Sequence, residues 1–366
     1  MKIILIIDVR WYNACADFAI KQAQGLALLG HDVLILANPG SPPALKARDE
    51  GLKLNEEIDF SKSIKTVSSV SKLREIAIRY DANIILAHRG ESHLISGLAG
   101  RGQNFRIVRF RGDVRTPRNS LFSRWLNRKL THGVAVSTEK LRFDYERIFG
   151  ANQMPLKVIY PGIDHNKYKV VGKRSDLKRK YGLRVDDPVI GMVGRLSPVK
   201  GHRFFIEAAK LTSLKYPRVQ FVIAGDDAQI KSAELQISAS LLKIPNSKFY
   251  GLVENIAELM ASFDIGIVAS IGSEMICRVL LEYFTVGLPV VATAINQISE
   301  IMLQSNGGIL VPPSDPIGMS NAICDLLEDS NKNAEYSSNG SKWVRNRSLT
   351  ELGNDSEAFL REVLDA

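Results

Sequence analysis

Glu274, Arg278 and Glu282 punctuate an otherwise apolar run, GSEMICRVLLEYFTVGLPVVAT, at residues 272–293. Spaced four apart, they share one face of a helix expected from about Met275 to Val286 and stopped by Gly287. Ile276, Val279, Leu280, Tyr283 and Phe284 form the opposite, apolar stripe. Spacing alone fits a solvent-exposed ladder of ion pairs equally well. Position argues for more, because the helix follows the apolar strand IGIVAS and its free N–H groups make a ready anion site. Eight helical residues rise about 12 Å, whereas the carboxylates of a glycosidase stand roughly 5–9.5 Å apart. A longer ligand fits better: hydroxyls at each end for the carboxylates, a diphosphate between them for the amides, which is the form of a nucleotide-sugar.

Two cations belong beside this pair. Arg195 follows the strand VIGMVG, and Lys200 precedes the helix HRFFIEAAKLTSL, so both stand where phosphate binds in parallel α/β sheets. Those sheets are legible in the chain. KIILIID, DVLILAN, NIILAH, FRIVRF and GVAVS alternate with helical segments in the first half; VIGMVG, VQFVIAG, KFYG, IGIVAS and LPVVAT do so in the second. Apolar strands alternating with helices mean parallel sheets covered on both faces. The polar stretch at 163–187 reads as the connection between two domains. The expected division is an N-terminal domain at 1–165, completed by a C-terminal helix at 350–366, and a C-terminal domain at 166–349.

The second half carries a resemblance. E-x7-E followed by GLPVVAT is similar to the donor-site signature of glycosyltransferase family 4, the retaining GT-B enzymes. GRLSPVKGHRFFIEAAKL resembles that family's G-R-L-x-x-x-K-G segment, and KFYGLV its strand-Gly element. With LALLGHDV and VIYPGID, the likeness runs over most of the chain. It implies a GT-B fold, two doubly wound Rossmann-like domains facing across a cleft, the first on the acceptor side and the second binding a nucleotide-sugar. It also implies sugar transfer with retention and without a metal; no D-x-D occurs in the sequence.

Residue by residue, the resemblance puts Glu274 on the donor sugar and Glu282 on the ribose. Arg195 and Lys200 clamp the diphosphate, and His88, at the end of NIILAH, reaches toward the donor sugar. Leu252 and Val253 offer backbone to the base. Ser270 and Ser273 support the sugar end. The departures are also plain. A Gly-Gly loop common in the family is replaced by RWYNACADF, where Trp11, Tyr12 and Asn13 present surface for an acceptor sugar. Met275, Ile276 and Cys277 stand where Gly-Phe-Gly is common, so only the backbone amides there would serve the ligand. Pro161 precedes Gly162 where Asn is usual.

Bulk properties narrow the classes. Hydrophobic content of 45% in 366 residues describes a globular chain of about two domains. No apolar run approaches the ~20 residues of a membrane span, and Asp8 and Arg10 interrupt the start too early for a signal peptide. Three scattered cysteines make neither a zinc site nor a disulfide framework. A cytoplasmic protein without a cofactor is expected. The net charge of +9 is concentrated: Arg101, Arg106, Arg109, Arg111, Arg115, Arg118, Arg124, Arg128 and Lys129 are opposed only by Asp113. That run points to a phosphorylated or lipid-linked glycan acceptor, or to an anionic membrane on the cytoplasmic face, as in lipopolysaccharide or other envelope glycan assembly. Nucleic acid is not expected, since no aromatic stacking motif accompanies it. A nucleotide-sugar epimerase and a non-catalytic nucleotide-sugar binder remain open. A dinucleotide oxidoreductase lacks its G-x-G-x-x-G after the first strand.

Overall fold

The computed structural model describes residues 1–60, 66–151, 153–244 and 246–366. The chain forms two compact units: Met1–Gly162 with Arg347–Ala366, and Ile163–Asn346. In the first, β1 (Lys2–Ile7), β2 (Asp32–Ala37), β3 (Lys53–Asn55), β4 (Ile84–Ala87), β5 (Arg106–Arg111), β6 (Gly133–Val136) and β7 (Leu156–Val158) make one sheet in the order 3-2-1-4-5-6-7. All neighbours are parallel, with Ile3 of β1 beside Val33 on one side and Ile84 on the other. The helices are α1 (Ala14–Leu28), α2 (Pro42–Asp49), α3 (Thr66–Tyr80), α4 (Gly90–Ala99), α5 (Leu121–Lys129) and α6 (Glu139–Phe149).

The second unit repeats the scheme. Its strands are β8 (Val189–Val193), β9 (Gln220–Ala224), β10 (Ser247–Tyr250), β11 (Ile265–Val268), β12 (Val290–Thr293) and β13 (Gly308–Val311). They too are parallel, in the order 10-9-8-11-12-13. Its helices are α7 (Arg174–Lys180), α8 (His202–Lys215), α9 (Ser232–Leu241), α10 (Ile256–Ala261), α11 (Arg278–Thr285), α12 (Asn296–Ser305), α13 (Pro316–Glu328) and α14 (Ser330–Arg345). The last helix, α15 (Leu349–Asp365), returns to the first unit and lies against α1. The approach is backbone to backbone: a Cβ on Gly353 would stand 2.4 Å from the Gly25 carbonyl oxygen. Each sheet reverses its direction of growth once, between β1 and β4 and between β8 and β11, which marks the ligand-binding crevice at the strands' carboxyl ends.

Three features depart from the sequence reading. The strands that no long apolar run announces, β3, β7 and β13, all stand at sheet edges, are three or four residues long and are mostly half-exposed. Residues 163–187 are no free connection. They form a 3-10 turn at His165–Tyr168 and then α7, whose Lys178 Nζ donates to Asp264 Oδ2 at 2.8 Å and to the Asp187 carbonyl at 2.9 Å. Finally, the helix expected from Met275 begins only at Arg278, for a reason given below.

Candidate functional site

The second unit gathers the sequence-derived donor residues at the carboxyl edge of its sheet. After β8 the chain passes through Arg195 to a 3-10 turn at Pro198–Lys200, and Gly201 then caps α8. Gly201 is required there: its φ is +74°, and a Cβ would fall 1.9 Å from the Ala269 carbonyl oxygen at the end of β11. This contact and the bond from Ile271 N to the Val199 carbonyl (2.9 Å) fix the loop after β8 to the loop after β11. Lys200 Nζ consequently donates to Glu274 Oε1, which also accepts from Ser270 Oγ at 2.8 Å. Thr293 Oγ1 donates to the Ser270 carbonyl at 2.5 Å and holds that serine from β12. Arg195 is exposed and, among the described residues, has no ion-pair partner. The amino end of α8 has no side-chain cap, so its first amides remain available beside two cations.

Glu274 therefore sits in a loop, not on a helix face. It is only 6% exposed, and Ser273 before it takes a left-handed φ of +73°. Gln297 of α12 pins the segment twice, its N donating to the Glu274 carbonyl (3.1 Å) and its Oε1 accepting from Cys277 N (2.9 Å). Bonding to Gln297 turns the chain away from helical geometry until Arg278. Thus the ladder and the 12 Å helical rise between Glu274 and Glu282 do not apply. The Cys277 amide, expected to serve a ligand, is already occupied. The side chains of Ile276 and Cys277 are buried, and burial followed by the Glu274 charge pushes the Cys277 thiol upward, which makes it no nucleophile. Glu282 is half-buried on α11 and its carboxylate has no partner among the described residues. Tyr283 seats that helix, its hydroxyl accepting from Val193 N at 2.8 Å and donating to the Gly191 carbonyl at 3.2 Å. After β10, Leu252 is exposed and Val253 half-buried against the core. Among the described residues no group of three or more His, Cys, Asp and Glu side chains could hold a metal ion.

In the first unit the sequence expectations fare differently. His88 is enclosed, at 2% exposure, with its ring against Phe18 and Phe110. Its Nε2 lies 3.0 Å from Gln22 Oε1, and Gln22 Nε2 donates to Ser356 Oγ of α15 at 3.0 Å. Burial first, then Arg109, pushes its pKa down to about 3, so its ring is neutral, and it ties β4, α1 and α15 together. Asn13 is the cap of α1, accepting from Ala16 N at 3.0 Å, and Tyr12 OH donates to Asp17 Oδ1 at 2.8 Å. Trp11 keeps an exposed ring. Asp8, just after β1, was not singled out: it is buried and accepts from Ser92 N at 3.2 Å, and burial raises its carboxyl despite Arg89 and Arg109, which lower it.

The basic run is also divided by the fold. Arg109 is buried and donates to the Ala87 carbonyl at 3.1 Å; Arg111 pairs with Asp113 at 3.1 Å. Arg106, at the other end of β5, helps line a cavity of about 570 Å³ with His132, Tyr145, Glu146 and Glu362. That cavity opens at the strands' starting edge, away from the crevice that the topology marks.

Comparison with known proteins agrees with this architecture. Residues 18–167 match the family model for Glycosyltransferase Family 4, and residues 187–329 that for Glycosyl transferases group 1. The alpha-D-kanosaminyltransferase of Streptomyces kanamyceticus is 29% identical over 192 residues, covering 52% of this chain and 50% of that protein. The Escherichia coli UDP-Gal:alpha-D-GlcNAc-diphosphoundecaprenol alpha-1,3-galactosyltransferase is 27% identical over 179 residues, covering 48% and 46%. The matched region thus spans about half the length of these curated relatives. The crystal structure of Anabaena HepE in complex with UDP shares the α/β fold, with a TM-score of 0.87 at 22% identity over 99% of this chain and 100% of that one.

Proposed function

We propose that the chain is a retaining glycosyltransferase that moves a sugar from a nucleoside diphosphate sugar to a glycan or glycolipid acceptor of envelope polysaccharide assembly, lipopolysaccharide included. One observation carries the reading: Glu274, held by Lys200 and Ser270, stands at the edge where the free Arg195 and the open amino end of α8 are prepared for an anion. Arg195 and the α8 amides take the diphosphate, and Lys200, with three donors, bridges phosphate to Glu274. Glu274 orients the sugar hydroxyls and Glu282 the ribose. As the glycosidic bond to phosphate breaks, these cations stabilise the leaving charge without a metal. The departing phosphate oxygen takes the acceptor's hydroxyl proton on the same face, which is why no protein base is assigned and why a buried His88 is no obstacle. The likeness to a protein solved with UDP and with UDP-glucose supports a uridine donor as the first to try. The diphosphoundecaprenol acceptor named for the E. coli relative supports a lipid-linked acceptor handled at the cytoplasmic membrane face.

The occupied Cys277 amide favours one other reading, a nucleotide-sugar binder that does not turn over. Incubation with UDP-hexoses and a membrane glycolipid extract separates the two. Release of UDP with the α-anomer retained in the product supports transfer. Tight UDP-sugar binding with neither UDP release nor an altered sugar leaves the binder, and isomerised donor would instead reveal an epimerase.

A further inference from the structure

The cavity of about 570 Å³ in the first unit falls within the usual size of a small-molecule site, roughly 300–1,000 Å³, and the donor chemistry makes no use of it. It lies where β5 and β6 begin, beside the last turns of α6 and α15. The strand starts bring hydrogen-bond donors. His132 N donates to the Ile107 carbonyl at 2.8 Å, and His132 Nδ1 accepts from Ile107 N at 2.9 Å. With Nδ1 an acceptor, the ring is neutral and carries its proton on Nε2, a donor without a partner among the described residues. Burial, then the neighbouring Arg106 charge, keeps that ring from taking a second proton. The Arg106 guanidinium likewise has no hydrogen bond or ion pair among the described residues. The helix ends bring acceptors. Glu146 Oε1 accepts from Arg142 at 2.9 Å, which leaves Oε2 open, and the exposed Glu362 carboxylate has no partner among the described residues. Glu146 also stands in the last turn of α6, whose carbonyl end is negative. No ion pair joins Arg106 to either carboxylate, so groups for an anion and groups for a cation line one cavity without cancelling.

We propose that this cavity is a second small-molecule site, taking a hydroxylated zwitterion of the amino-sugar phosphate class, with its phosphate on Arg106 and His132 Nε2 and its ammonium on Glu146 and Glu362. Charge selects the class. A ligand carrying only the anion would face two uncompensated carboxylates, and one carrying only the ammonium would face Arg106. Size selects the ring: a cavity of about 570 Å³ has room for a sugar between the two charges, with Phe149 against its C–H face and the Gln153 amide for its hydroxyls. Every one of these residues belongs to the first unit, whereas Arg195, Lys200, Glu274 and Glu282 belong to the second. The two ligands therefore share no side chain, and the proposal stands whether or not the chain transfers sugar.

The test is isothermal titration calorimetry of the full chain with glucosamine 6-phosphate, glucose 6-phosphate and glucosamine, which carry both charges, the anion alone and the cation alone. Glucosamine 6-phosphate is expected to bind at least about tenfold more tightly than either of the others, each of which forgoes a charged hydrogen bond worth that factor or more. Arg106→Gln should weaken its binding by about tenfold and leave the affinity for glucosamine unlowered. Glu362→Gln should do the converse, sparing glucose 6-phosphate. Both side chains lack partners among the described residues, so unchanged melting temperatures without ligand should certify both folds. Arg195→Ala should bind glucosamine 6-phosphate as the wild type does. No heat of binding at millimolar glucosamine 6-phosphate overturns the proposal, as do equal affinities for the three compounds or full affinity in Arg106→Gln. Binding lost in Arg195→Ala would put the ligand at the donor edge and overturn it too.

Discussion

Lys200 and Ser270 both bond the same oxygen of Glu274, which leaves Oε2 without a partner among the described residues and ready to accept from a hydroxyl. Removing Lys200 as Ala leaves a buried carboxylate with one hydrogen bond, a loss of about 1–3 kcal/mol. Differential scanning calorimetry should show a lower melting temperature, and turnover should fall together with it. A second residue-scale expectation concerns pH. Burial pushes His88 and His93 down to about 3 and His202 to about 4, so all three are neutral in the fold near neutrality. Between the ordinary histidine value of about 6.5 and those depressed values the unfolded chain binds protons that the fold excludes. Stability therefore rises with pH across that window and levels off above it. Asp8, whose carboxyl burial raises, acts in the opposite sense at the acid end. The discriminating measurement is thus the His93→Gln variant, whose unfolding free energy from urea titration should change less between pH 5 and 7, by up to about 1.4 kcal/mol per pH unit.

At the scale of elements, Gln297 does what the sequence concealed. Its amide fixes the loop from Glu274 to Cys277, and truncation to Ala should cost about 1–3 kcal/mol by leaving the buried Cys277 N–H unpaired. If the loop's geometry matters to the donor, turnover should drop more than nucleotide affinity; equal loss of both would assign Gln297 a purely structural part. Central strands were legible because a parallel sheet buries both faces and writes them as continuous apolar runs, as in IILII and VIGMV. Edge strands such as LKV of β7 bury little and leave no such mark. The positions of Arg195, Lys200 and Glu274 could be read because each follows a strand or precedes a helix. The start of α11 could not, since no local signal in SEMIC tells that a glutamine about twenty residues later will hold that backbone. His88 shows the same limit: strand-end position announced it, but only tertiary packing between Phe18 and Phe110 determined that it is sealed. Likewise, Asn13 is a helix cap because of the backbone that follows it.

For the whole molecule, charge and connectivity matter more than any single contact. A run of nine cations that looks like one patch in the sequence is distributed by β5 between two edges of a sheet and its interior, leaving the surface share on and around α5. Among the described residues no helix is long and apolar enough to cross a membrane. The chain also completes its first unit last, when α15 packs on α1 through Gly25 and Gly353. Gly353→Val would force a side chain into the Gly25 backbone, and overpacking of this kind costs about 1–3 kcal/mol. Thermal denaturation should register the loss, while UDP affinity, assigned to the second unit, should stay unchanged. A parallel loss of affinity would contradict that assignment.

In the proposed reading, the carboxyl edge of the second sheet binds a nucleoside diphosphate through Arg195. Melting temperatures with UDP, ADP and GDP, for wild type and Arg195→Ala, test it most directly. A nucleotide at about a hundred times its dissociation constant adds roughly 2.7 kcal/mol, equivalent to several degrees for a unit of this size. A clear rise with one nucleotide is expected, largely lost in Arg195→Ala, whose own melting temperature should be unchanged because the Arg195 guanidinium holds no ion pair among the described residues. A rise of the same size in the variant, or none with any nucleotide, would contradict it.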